Sequence, residues 1–167
     1  MEQLSSKEMA IIYRILNRLY EGMLGYPEEV WEQEHYDDDE LVNRKEIELL
    51  INKLKGNIPP EELERIDKEI MMEKYGGFSH SPDERVYTVL ESAFKKKRIA
   101  GAEYFSPSRQ EVTQRKIAIY YLSRRYIIAY CHKRKEIRKF RADRFISAKL
   151  NDEKYTIPKT FDKNEYI

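Results

Sequence analysis

Six arginines and two tyrosines crowd one stretch of the chain, RRYIIAYCHKRKEIRKFRADRFISAKL, residues 124–150. Arg124, Arg125, Arg138, Arg141 and Arg144 fall on or beside two apolar-rich strand candidates, 126–131 and 137–140, with a charged turn between them at 132–136. Strands hold side chains in fixed directions, so arginines carried on strands form a pre-set face for anions. A guanidinium beside an exposed aromatic ring suits nucleic acid, because guanidinium pairs with phosphate while rings stack on bases. Tyr126, Ile128 and Tyr130 share one parity, and the small apolar set Ile127, Ala129 and Cys131 has the other, which makes the second set core and turns the tyrosines outward. On the next strand Arg138 and Phe140 share a parity. A core Phe140 draws Arg138 inward unless a bulge intervenes, and the sequence leaves both arrangements open. Asp143 is placed to pair with Arg141 or Arg144 and hold its orientation.

The same residues argue against catalysis. Cys131 and His132 are neighbours, so on a strand they point to opposite faces and form no dyad. No Ser–His–carboxylate set, Gly-rich phosphate loop or zinc spacing occurs. An enzyme is not expected, and neither is a cofactor. The acidic run Asp37-Asp38-Asp39-Glu40 with His35 nearby reads as a solvated, helix-capping loop rather than a metal site, since consecutive carboxylates cannot all converge on one ion. The single cysteine excludes an internal disulfide. The start, MEQLSSKEMA, has no signal-peptide pattern and no apolar run approaches a membrane span, so a cytoplasmic protein with no membrane partner is expected.

The elements that must position the arginines follow from periodicity. Ser5 or Ser6 can cap a helix from Lys7, with Ile11, Ile12, Ile15, Leu16 and Leu19 as an apolar stripe that reads as core. Further helices are expected over 41–55, 61–75 and 84–97, the second opening on Pro59-Pro60 and closed by Gly76-Gly77. Strands are expected at 99–105, 112–122, 126–131, 137–141 and 145–150. The chain therefore reads as an α+β protein: an N-terminal acidic helical module over 1–80, for dimerisation or docking with a divergent helix-turn-helix as the alternative, and a basic domain over 81–167. That basic domain is a helix followed by a small, strongly bent five-stranded barrel of the Sm or SH3 kind, whose closure would protect short strand edges. The net charge of +1 hides a division. Residues 1–84 carry 10 Lys and Arg against 21 Asp and Glu, or −11, and residues 85–167 carry 21 against 9, or +12. The basic half attracts nucleic acid, and the acidic half repels it or docks on a basic surface.

The basic stretch also resembles the WYL domain of bacterial transcriptional regulators. Arg125-Tyr126-Ile127 stands where that family has Trp-Tyr-Leu, so the Trp is replaced by Arg125, and the family's Arg-x-Phe-Arg-x-Asp-Arg run is present as Arg138-Lys139-Phe140-Arg141-Ala142-Asp143-Arg144. Ile157-Pro158 and Phe161-Asp162 match the family's usual tail, and the resemblance spans about residues 85–161. It implies the same small barrel and a ligand-sensing regulator whose binding face uses Tyr126, Arg138, Arg141 and Arg144, with His132 as a weaker member. The implied partner is single-stranded nucleic acid or a nucleotide-like anion, and a homodimer is expected. The family's frequent winged helix-turn-helix has no basic recognition helix to match it here, because the N-terminal helices are acidic. The competing reading is a protein–protein adaptor in which acidic helices and basic strands pair and no nucleic acid is involved.

Overall fold

The computed structural model describes residues 4–24, 44–77 and 81–167, in two compact units, Met1–Ile70 and Met71–Ile167. The acidic segment with Trp31, His35 and Asp37-Asp38-Asp39-Glu40 lies outside the described residues, as does His80.

In the first unit, helix α1 (Ser6–Leu24) starts with a reciprocal cap: the Glu8 carboxylate accepts from the Ser5 backbone N–H at 2.8 Å and from the Ser5 hydroxyl. Helix α2 spans Arg44–Lys55, and α3 spans Pro60–Tyr75 with Pro at its first position, its residues from Met71 onward belonging to the second unit. Their core joins Ala10 and Tyr13 of α1, Ile47 and Ile51 of α2, Ile58 in the connection and Ile66 of α3. The apolar stripe expected to be core on α1 is split instead: Ile11, Ile15 and Leu19 are exposed, Ile12 is half-buried, and Leu16 packs against the core with Met9 and Tyr20. Tyr13 explains the split. Its ring is buried, and its hydroxyl donates to Asp67 at 2.7 Å, which satisfies the polar tip that burial would otherwise strand.

In the second unit, Asp83 caps helix α4 (Glu84–Lys96) by accepting from the N–H groups of Arg85 and Val86, and Lys97 ends it in the left-handed conformation. Five antiparallel strands follow: β1 (Arg98–Ser106), β2 (Glu111–Leu122), β3 (Tyr126–Cys131), β4 (Glu136–Arg141) and β5 (Phe145–Lys154). A single 3-10 turn, Ala142–Arg144, joins β4 to β5. The spatial order is β4-β3-β2-β1-β5. Register shifts on β2 between Ile119 and Tyr121 and on β1 between Glu103 and Tyr104 mark bulges, which bend strands.

The sheet is open, with β4 and β5 at its edges, so the expected closed barrel is not formed. The β4 edge reads Glu-Ile-Arg-Lys-Phe-Arg, and charge guards it against stray pairing without closure. One face of the sheet, called the inner face below, carries Ala100, Ala102, Ile117, Ile119, Ile127, Ala129, Cys131, Phe140 and Phe145, and Leu90 and Ala93 of α4 pack onto it. Cys131 is fully buried there as a small apolar residue. After β5, the Tyr155 hydroxyl donates to the Ile119 carbonyl at the β2 bulge, and burial pushes that hydroxyl up to about 12. Phe161 then lies edge-on to Tyr120 at 5.2 Å and beside Tyr166, closing an aromatic cluster on the family-like tail.

Candidate anion-binding site

The inner face changes character along the strands. Under α4 it is apolar. Towards the β1–β2 and β3–β4 turns the same alternation places Thr113 and Arg115 on β2, in step with Ile117 and Ile119. Arg115 is only 9% exposed, and its Nε and Nη1 have no hydrogen-bond partner in the protein. On β4, Arg138 pairs across from Ala129, and Phe140 across from Ile127. Ala129 and Ile127 are inner-face residues, so Arg138 faces inward with Phe140 and no bulge separates them.

These residues border a recess of about 430 Å³. Its walls include Tyr104 and Ser106 of β1, Arg115 of β2, Arg138 and Phe140 of β4, and Arg144 of the 3-10 turn. The turn residues Ser108, Arg109 and Arg134 complete its rim. Five arginines therefore line it, and no carboxylate does. Arg109 and Arg138 each have a neighbouring glutamate, Glu111 at 3.5 Å and Glu136 at 3.6 Å. Among the described residues, Arg115, Arg134 and Arg144 have no carboxylate within ion-pair distance. Lys139 also borders the recess, but its ammonium lies over the Tyr126 ring at 4.6 Å.

The recess is braced from behind. Tyr104 sits edge-on to Phe140 at 5.1 Å and to Phe145 at 5.0 Å, and its hydroxyl accepts from the Arg141 backbone N–H. Arg144 Nε donates to the Tyr75 carbonyl at 3.3 Å. Asp143 is buried and takes Arg141 in a two-pronged ion pair, Nε to Oδ1 at 3.0 Å and Nη2 to Oδ2 at 2.5 Å.

The residues expected to share one binding face are thus divided. Arg138 and Arg144 meet at the recess. Tyr126 and Arg141 are direct cross-strand partners in the opposite parity, and Arg141 is committed to Asp143. His132 stands exposed beside the Tyr130 ring at 5.2 Å. Of the other arginines, Arg124 pairs with Glu84, lowers that carboxyl below its ordinary range and covers Tyr87, while Arg125 lies over Tyr126. Arg115, Arg134 and Arg109 were not singled out from the sequence. Arg115 carried a signal all the same: in the alternation Thr113, Arg115, Ile117, Ile119 it is the one charge in a core parity. Among the described residues no group of three His, Cys, Asp or Glu could hold a metal ion, and no helix is long and apolar enough to cross a membrane.

Two outcomes follow for stability. An unpaired buried guanidinium carries an uncompensated desolvation cost, so Arg115→Met should raise the unfolding free energy by about 1–3 kcal/mol in ligand-free buffer, measured by urea denaturation. A loss of stability on that substitution would show that Arg115 is satisfied. Asp143→Ala should instead cost about 3 kcal/mol, because it leaves Arg141 partly buried with no counter-charge; a change below 0.5 kcal/mol, roughly that of an ordinary surface site, would contradict the bracing role.

Residues 85–150 match the model of the WYL domain. The solved structure of Proteasome accessory factor B/C (PafBC) of Arthrobacter aurescens is similar at 24% identity and a TM-score of 0.37, over 91% of this chain and 21% of that one. The chain thus spans about a fifth of the length of that structure's chain. No curated protein matches. The second unit is thus similar to the WYL domain over residues 85–150.

Proposed function

We propose that the chain is a ligand-sensing regulatory protein whose WYL domain takes single-stranded nucleic acid, or a nucleotide-like anion, at the arginine-lined recess. The observation that carries this reading is Arg115, a buried cation with two unpaired donors on the wall of a cavity that four further arginines share. Such a group is costly in the free protein and gains a counter-charge when phosphate enters, so its retention is better explained by binding than by folding. Guanidinium forks match phosphate oxygens in pairs, and the supporting strands fix their direction.

The WYL match supports the regulatory class and supports reading the bent open sheet as Sm-like. The adaptor reading is less favoured by this geometry. An acidic protein surface would meet the exposed rim arginines, but Arg115 is sunk behind them, where a narrow anionic group reaches more easily than a protein face.

The test is fluorescence anisotropy with labelled single-stranded DNA and RNA at two salt concentrations. Arg138→Ala with Arg144→Ala should weaken binding at least tenfold and reduce the slope of log affinity against log salt by about 2, one for each arginine withdrawn from a phosphate. Binding and slope equal to those of the unaltered protein would remove the recess from nucleic-acid recognition.

A further inference from the structure

The recess is a pocket with a wall, not a track along the surface, and this bears on which phosphates it takes. Arg115, Arg134 and Arg144 bring three charges without carboxylate partners into about 430 Å³, with Arg109 and Arg138 beside them. An internal phosphodiester brings about one negative charge, and its neighbours along the strand are separated by sugars and bases. A terminal phosphomonoester brings about two. Directly bridged phosphoryl groups add charge with nothing bulky in between, so they supply several charges within the volume of the cavity.

The walls point the same way. Of the aromatic rings beside it, Phe140 is buried and Tyr104 packs against Phe140 and Phe145, so the rings here are engaged with one another rather than arrayed for a base. No carboxylate lines the recess to accept from ribose hydroxyls in the manner of dinucleotide-binding folds. What remains is cationic and hydroxylic: the arginines, with Ser106 and Ser108 placed 3.4 Å apart, oxygen to oxygen. We infer that the recess binds a compact polyphosphate group, a diphosphate or longer, with Arg115 as its buried anchor. This rests on the anion-binding reading above and narrows it, since base and sugar of any nucleotide would stay outside the pocket.

Isothermal titration of the full chain tests it with inorganic triphosphate, orthophosphate, sulfate, a nucleoside triphosphate, and a single-stranded oligonucleotide with hydroxyl ends. Triphosphate should bind at least tenfold more tightly than orthophosphate or sulfate at equal ionic strength, and Arg115→Met should remove most of that advantage. Arg134→Ala, on an exposed turn, should weaken it too and guards against a folding artefact at position 115. Equal affinity of inorganic and nucleoside triphosphate supports recognition of the phosphates alone; tighter nucleoside binding that still depends on Arg115 supports a nucleotide as their source. If the oligonucleotide binds through Arg115 while triphosphate neither binds nor competes, the polyphosphate inference falls and the nucleic-acid reading survives. If no anion binds, both fall.

Discussion

A guanidinium loses hydration when it is buried, and Arg115 loses it on the wall of a cavity with no carboxylate to replace the water. That cost shapes the rest of the second unit. The inner face of the sheet is apolar where Leu90 and Ala93 of α4 cover it and cationic where the helix no longer reaches. Both ends use one strand alternation, so β2 passes from Ile119 and Ile117 under the helix to Arg115 in the recess without changing parity. The open edge matters here. Arg138 lies on the inner face of edge strand β4, and the face stays accessible because β4 and β5 do not pair.

The second constraint is how cations of one sign are held side by side. Arg141 is removed from the set by Asp143, which grips it on both prongs behind the recess. That pair fixes the β4 end and the 3-10 turn, and the turn carries Arg144, whose Nε is oriented by the Tyr75 carbonyl. Tyr104 links the two sides, with its ring against Phe140 and Phe145 and its hydroxyl on the Arg141 N–H. Of the Arg-x-Phe-Arg-x-Asp-Arg run, Arg138 and Arg144 face the cavity, Phe140 and Ala142 are core, and Arg141 with Asp143 is bracing.

Much of this was legible in the sequence. Apolar-rich runs between turn residues located all five strands, and cap and breaker residues located the helices to within a few positions. The parity of Arg138 with Phe140 left its direction open, and the pairing of Ile127 with Phe140 decided it. Two features escaped for the same reason: they depend on which partner a side chain finds across the fold. The α1 stripe of Ile11, Ile12, Ile15, Leu16 and Leu19 looked like core, but only Leu16 packs against it, and Tyr13 won the buried position through Asp67, which is 54 residues away. The division of the expected binding face was likewise hidden: Arg141 is held by Asp143, and Tyr126, flanked by Arg125 and Lys139, has the opposite parity to Arg138. Arg115 stands apart from the arginine-rich stretch, and its signal lies in being a single charge among core positions rather than one of a cluster.

The central claim is that Arg115, not the Tyr126 face, receives the anion. The most direct measurement is the side-chain Nε–H spectrum of the arginines in ¹⁵N-labelled protein during titration with a single-stranded oligonucleotide. The signals of Arg115, Arg138 and Arg144 should move together and saturate, while that of Arg141 stays on Asp143 unchanged. Movement confined to Arg125 and Arg141, with Arg115 still, would contradict the account and return the binding site to the opposite face of the sheet.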